Sequence, residues 1–160
     1  MKTDRADIKI REVGPSEVSI LTHYRIAYLT EMQGERPSEY ISELEFTLNK
    51  YFKEALSEER LFAYIATVDE TPVSFGAMVI KKIPGDFNKP LYLEGDILNM
   101  YTIPEARRRG ISSVVLEHLI AGARERGISK ISLHTSKDGE KLYRKYGFTE
   151  AVYPILELPL

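Results

Sequence analysis

The sequence predicts a mixed α/β fold, a single domain over residues 1–160 in which about four helices flank a central sheet. Three observations predict it. Short apolar or alternating segments, the length of strands, interleave with longer segments whose apolar residues recur every three or four positions. The two kinds follow one another along the chain with no internal repeat, low-complexity tract or linker. A chain of 160 residues, 43% hydrophobic and 29% charged, suits one hydrophobic core.

The elements follow in order. Residues 8–13 alternate apolar and polar and read as a first strand. Gly14-Pro15-Ser16 breaks it, with Ser16 placed to cap a helix over 17–32, where Val18, Leu21, Tyr24, Tyr28 and Met32 keep helical spacing. A second helix starts at Ser38 and carries Ile41, Leu44, Leu48, Phe52 and Leu56. Residues 61–68 and 73–82 form two strands around the turn Asp69-Glu70-Thr71-Pro72 and read as an antiparallel hairpin. Residues 83–90 read as a loop, and 92–103 as a strand with Gly95 marking a bulge. A helix over 110–126 stops at Gly127. A strand over 128–135, a short helix over 138–146 ended by Gly147, and one or two final strands over 148–158 complete a sheet of six to seven strands.

Composition narrows the function classes. The longest apolar runs, such as 73–80, are far below the roughly 20 residues of a membrane span. Met1-Lys2-Thr3-Asp4-Arg5 leads to Ile8 without an apolar signal region, so the cytoplasm is the default compartment and no membrane partner is expected. The absence of cysteine excludes disulfides, thiolate nucleophiles and Cys-bound zinc. His23, His118 and His134 lie far apart, so no metal is expected. A net charge of −2 gives no footprint for nucleic acid.

The most informative segment is Leu98-Asn99-Met100-Tyr101-Thr102-Ile103-Pro104-Glu105-Ala106-Arg107-Arg108-Arg109-Gly110-Ile111-Ser112-Ser113. A strand enters a proline-marked turn, then a basic loop with a glycine, then a helix. The first N–H groups of a helix have no partner within it and point outward together at the positive end of its dipole. That is a site for a phosphate or diphosphate. Gly110 removes a side chain where the ligand approaches the backbone, and the arginines add positive charge at the rim. Three arginines ahead of a helix also fit a solvated surface run; their place between strand, proline and helix favours the phosphate reading.

This segment resembles motif A of the GNAT acetyltransferases, Arg/Gln-x-x-Gly-x-Gly/Ala, matched by Arg107-Arg108-Arg109-Gly110-Ile111-Ser112 with Ser112 departing from Gly/Ala. A second segment, Leu133-His134-Thr135-Ser136-Lys137-Asp138-Gly139-Glu140-Lys141-Leu142-Tyr143-Arg144-Lys145-Tyr146-Gly147-Phe148, resembles motif B, whose ending Leu-Tyr-x-x-x-Gly-Phe is complete here. It follows the subgroup pattern His-x-Ser-x-x-Gly-x-x-Leu-Tyr, with Ser136 where many members carry Asn.

The resemblance implies a GNAT fold and an acyl-CoA-dependent N-acyltransferase. Acetyl-CoA would be the co-substrate, and a primary amine of a small molecule or peptide would attack it directly in a ternary complex. It implies that backbone N–H groups from Arg108 to Ser113 hold the CoA pyrophosphate. Met100, Tyr101 and Thr102 then pair with the pantetheine arm like an added strand, and Ser136 takes over the Asn contact. Tyr143 is implied as the acid that protonates the departing thiolate. A phenol with a pKa near 10 suits that task, although on its spacing alone it also fits a core tyrosine.

For the base, Glu94 and Asp96 lie two apart on one strand and share a face. Asp96 falls at the offset where some family members carry a base; Glu94, His134 and a water stay open beside it. The family's acceptor site implies a wall of Tyr24, Arg25, Tyr28, Tyr40 and Tyr51, with Arg25 facing an acidic group. Dimerisation, common in the family, is a further expectation. The alternative function is a catalytically silent module that binds or senses acyl-CoA; a weaker third is an arginine-rich interaction domain.

Overall fold

The computed structural model describes residues 4–160. Its elements are β1 (Lys9–Glu12), α1 (Val18–Gln33), α2 (Ser38–Ser57), β2 (Leu61–Val68), β3 (Thr71–Pro84), β4 (Leu91–Thr102), α3 (Ile111–Glu125), β5 (Ile128–Ser132) and α4 (Lys137–Lys145). Up to α4 this is the order that the hydrophobic periodicity predicts. The start of α1 differs: Pro15 opens a 3-10 turn, Pro15–Glu17, so Ser16 lies inside that turn and caps nothing. The Glu17 carboxylate instead accepts from the Gly14 amide (3.3 Å) and from Arg11 (2.7 Å).

The strands form one sheet in sequence order, antiparallel from β1 to β4 and parallel between β4 and β5. The mixed sheet and four α-helices agree with the expected class, but among the described residues there are five strands rather than six or seven. The final strands over 148–158 do not form. Val152, Leu156 and Leu158 are 82–92% exposed. Pro154 removes a ladder donor from the middle of the run and Pro159 follows its end, so its apolar alternation does not become a continuous strand.

Helices cover both faces of the sheet. On one face α3 buries Ile111, Val115 and Leu119 against Met78 and Ile97, a spacing of four that makes one helical stripe. Gly76 lets α3 sit close, because a Cβ there would lie 2.7 Å from Leu119 Cδ1 and 2.9 Å from Val115 Cγ1. On the other face α1 and α2 bury Leu21 and Phe52 against Ile65, Ala77 and Phe75.

Two irregularities of β4 shape the site. Ala77 pairs with Asn99 but Met78 pairs with Ile97, which leaves Leu98 as an extra residue. The bulge is therefore at Leu98 and not at Gly95, which pairs regularly with Ile80. Gly95 is glycine for space: a Cβ would meet Met78 Sδ at 2.5 Å. The bulge breaks the alternation, so Leu98 and Asn99 both turn to the α1 side while Ile97 and Met100 pack on the α3 side. Second, β5 accompanies β4 only from Leu93 to Asp96. Beyond Asp96 the two strands part, and residues 97–101 have no neighbour on that side among the described residues.

Candidate active site

The chain leaves β4 through the 3-10 turn Pro104–Ala106 and reaches α3 through four exposed residues. Two of them are left-handed, Arg108 (φ 62°) and Gly110 (φ 81°). For Arg108 this costs on the order of 1–2 kcal/mol, a strain typical of functional turns. Gly110 occupies the cap position of α3 and offers no side-chain acceptor. No amide from residues 108 to 113 donates to a turn, loop or cap acceptor among the described residues. Nothing stands within 4 Å of where a Gly110 Cβ would project. Outward-facing N–H groups, the helix dipole and open space therefore coincide, and a diphosphate fits there.

The three arginines differ in their duties. Arg108 and Arg109 are exposed and make no ion pair among the described residues. Arg107 is turned toward α1: its Nε donates to the Thr102 carbonyl (2.9 Å), and its Nη2 meets Glu31 at 2.6 Å. Its guanidinium lies 5.7 Å from the Tyr101 ring centre. Arg107 thus braces β4 against α1 rather than lining the helix start. Ile111 is buried beneath the loop, while Ser112 and Ser113 are half-buried in the first turn.

Strand β4 supplies the adjoining edge. Met100, Tyr101 and Thr102 lie where the sheet has forked, so the side of β4 away from β3 is unpaired and can take an extended ligand as an added strand. Tyr101 packs with Phe75 in the α1-side core, and Thr102 Oγ1 lies 2.8 Å from Ser74 Oγ.

Tyr143 reaches this region from α4. Ser136 caps that helix, its Oγ accepting from the Gly139 amide at 3.3 Å. Gly139 keeps the Tyr143 ring close: a Cβ there would sit 3.3 Å from Cε2. Tyr146 anchors the helix to α3 by donating to Glu117 Oε1 at 2.5 Å. The Tyr143 ring packs edge-on against Phe148, with centroids 5.7 Å apart. Burial, and secondarily the neighbouring Tyr28, push the Tyr143 phenol up to about 12. It is protonated at any physiological pH.

The carboxylates expected to act as bases lie on β4, on the face opposite Gly95 and Ile97. Asp96 pairs with Lys81 at 2.9 Å and is 40% exposed; Glu94 pairs with Lys130 at 3.1 Å. His134 is exposed beyond the end of β5.

The expected acceptor wall is brought together only in part. Arg25 and Tyr28 share the half-buried side of α1, the guanidinium 5.8 Å from the Tyr28 ring centre. Tyr24 is a core residue instead: it is 6% exposed, stacks on Phe75, and commits its hydroxyl to the Pro72 carbonyl at 2.8 Å. Tyr40 and Tyr51 lie on the exposed side of α2.

Two residues of the site escape sequence reasoning. Asn99 is 4% exposed and accepts a hydrogen bond from Arg25. An amide inside the apolar run Ile97-Leu98-Asn99-Met100 was its signal, since Asn is depleted in buried strands. Glu31 gave none, because its link to Arg107 spans 76 positions.

Residues 26–148 match the family model described as "Acetyltransferase (GNAT) family". A curated relative, the uncharacterized N-acetyltransferase YedL of Escherichia coli (strain K12), is 33% identical over 61 residues, 35% of this chain. The match spans only 38% of that relative's length. A predicted acetyltransferase from Clostridium acetobutylicum, solved with acetyl-CoA, superposes with a TM-score of 0.81 at 30% identity, covering 95% of this chain and 96% of that one. A GCN5-related N-acetyltransferase from Ralstonia eutropha JMP134 shares the fold, with a TM-score of 0.76 at 21% identity and coverage of 94% and 98%.

Proposed function

The chain belongs to the acetyltransferase (GNAT) family, and from that premise we propose that it transfers the acetyl group of acetyl-CoA to a primary amine of a small molecule or peptide, both reactants being bound together. One observation carries the reading. The amides opening α3 have no acceptor among the described residues, and the space above Gly110 is open, so a diphosphate can be gripped there. The unpaired edge of β4 at Met100, Tyr101 and Thr102 then lies in line for the pantetheine arm. That a structural relative was solved with acetyl-CoA agrees with the assignment.

Acetyl-CoA supplies a thioester carbon that an amine can attack; a C–N bond forms and the C–S bond breaks. The residues of the chain orient the reactants and manage two protons. Asp96, or a water beside it, takes the proton of the attacking amine, with Lys81 as the counter-ion. Tyr143 serves the leaving sulfur. A phenol at about 12 is a weaker acid than a cysteine-like thiol of about 8.5. Its first contribution is therefore a hydrogen bond to the developing thiolate. Holding both reactants in register supplies much of the acceleration.

Titration calorimetry with coenzyme A tests the premise, and a transfer assay with an amine panel tests the reaction. Micromolar-range binding that weakens when Arg108 and Arg109 are both made Gln is expected. A protein indifferent to coenzyme A would remove the assignment.

A further inference from the structure

Asn99 sits in the interior of β4 with half of its hydrogen-bonding capacity unmet. A guanidinium can only donate, so the Arg25 contact fixes Oδ1 toward α1. The Nδ2 group is buried and has no acceptor among the described residues. Native interiors seldom leave such a donor alone. Its neighbour is equally uncompensated: Arg25 makes no ion pair among the described residues. The carboxylates of the same sheet face are already matched, Asp96 by Lys81 and Glu94 by Lys130. Beside β4 a cation without a counter-ion thus adjoins a buried amide N–H without an acceptor, both donors among the described residues. Tyr28, one turn of α1 further on, lies between this pair and Tyr143.

Resting on the reading of the site as an acetyltransferase, we infer that the acceptor is a small amine that also bears a carboxylate, bound by the Arg25 guanidinium and the Asn99 amide. A carboxylate supplies the charge that Arg25 lacks and an acceptor for Nδ2, and charge-assisted pairs of this kind are the stronger hydrogen bonds. A polyamine or other polycation would bring more positive charge to an unneutralised arginine. The carboxylate end is fixed on α1 and β4, so the amine is presented toward Tyr143.

The experiment compares free amino acids with their carboxamides as acceptors, and β-alanine and γ-aminobutyrate with glycine to set the spacing between amine and acid. The expected result is a kcat/KM at least tenfold higher for the acids than for the matched amides. That ratio should collapse toward one in Arg25→Gln and in the isosteric Asn99→Asp, which would satisfy Arg25 internally. Arg25→Lys, keeping the charge without the fork, should retain an intermediate preference. Calorimetry with the N-acetyl amino acids in the presence of coenzyme A gives a second readout, with binding about 10- to 100-fold weaker in Arg25→Gln. Amides used as well as acids, a preference that survives in both variants, or N-acetyl amino acids that do not bind a CoA-loaded protein would each overturn the inference. Failure to bind coenzyme A at all would instead strike the acetyltransferase reading.

Discussion

The Arg107 guanidinium and the Glu31 carboxylate meet at 2.6 Å, tying the loop before α3 to the last turn of α1. The loop that opens α3 and the helix that carries Arg25 and Tyr28 are joined by this contact. Arg107, chiefly by hydrogen bonding, holds the Glu31 carboxyl below the usual glutamate range.

Glu31→Gln should therefore cost little stability, at most about 1 kcal/mol, because the side chains of both partners remain about 40% exposed. The sign of its pH dependence follows from the lowered pKa. The contribution is fully present above the ordinary glutamate value and is lost as pH falls through the depressed one. Thermal melts of the parent and Glu31→Gln should differ near neutrality and converge in acid. A gap that persists in acid would mean that the pair is not the cause.

Tyr143→Phe should lower kcat by about 10²- to 10⁴-fold while the calorimetric affinity for acetyl-CoA changes little. With the phenol at about 12, the parent's rate profile should show no alkaline loss from Tyr143 until pH approaches that value. Full turnover by the Phe variant on its preferred acceptor would take away the role of hydrogen-bond donor to the leaving sulfur.

Gly110→Ala separates strain from contact. No protein atom lies within 4 Å of the added Cβ, but φ is 81°, so the folded state should lose about 1 kcal/mol from conformation alone. If the diphosphate approaches this backbone, affinity for coenzyme A should fall tenfold or more in calorimetry, well beyond the effect on the melt. Unchanged affinity would place the diphosphate elsewhere.

Gly76→Ala should be felt in the core. Its Cβ would come within 2.7 Å of Leu119 Cδ1 and Met100 Sδ and 2.9 Å of Val115 Cγ1. Val115 is β-branched and cannot swing aside, so a loss of about 1–3 kcal/mol is expected in urea unfolding.

The parts of this protein that are local in sequence were legible there. Strand and helix periodicity located every element from β1 to α4, and the loop around Gly110 announced itself through Pro104, the arginines and the helix that follows. Alternation misleads where Pro154 interrupts it, and Ser16 resembles a cap only until the 3-10 turn that Pro15 starts is taken into account. Tyr24 could not be told from a binding tyrosine, because its burial depends on Phe75 and on the Pro72 carbonyl. Asn99 faces α1 only because the strand carries an extra residue at Leu98, and Glu31 finds Arg107 only once α1 has docked. Both are tertiary facts with no counterpart in spacing.

The fork after Asp96 and the first turn of α3 offer peptide groups rather than side chains. Such a site is indifferent to many exchanges of residue but sensitive to any that deletes a main-chain hydrogen. Saturation mutagenesis at the half-buried Leu98 and Met100 should accordingly leave a broad plateau of tolerated apolar exchanges cut by proline, a pattern of robustness dictated by the backbone and not by the chemistry it serves.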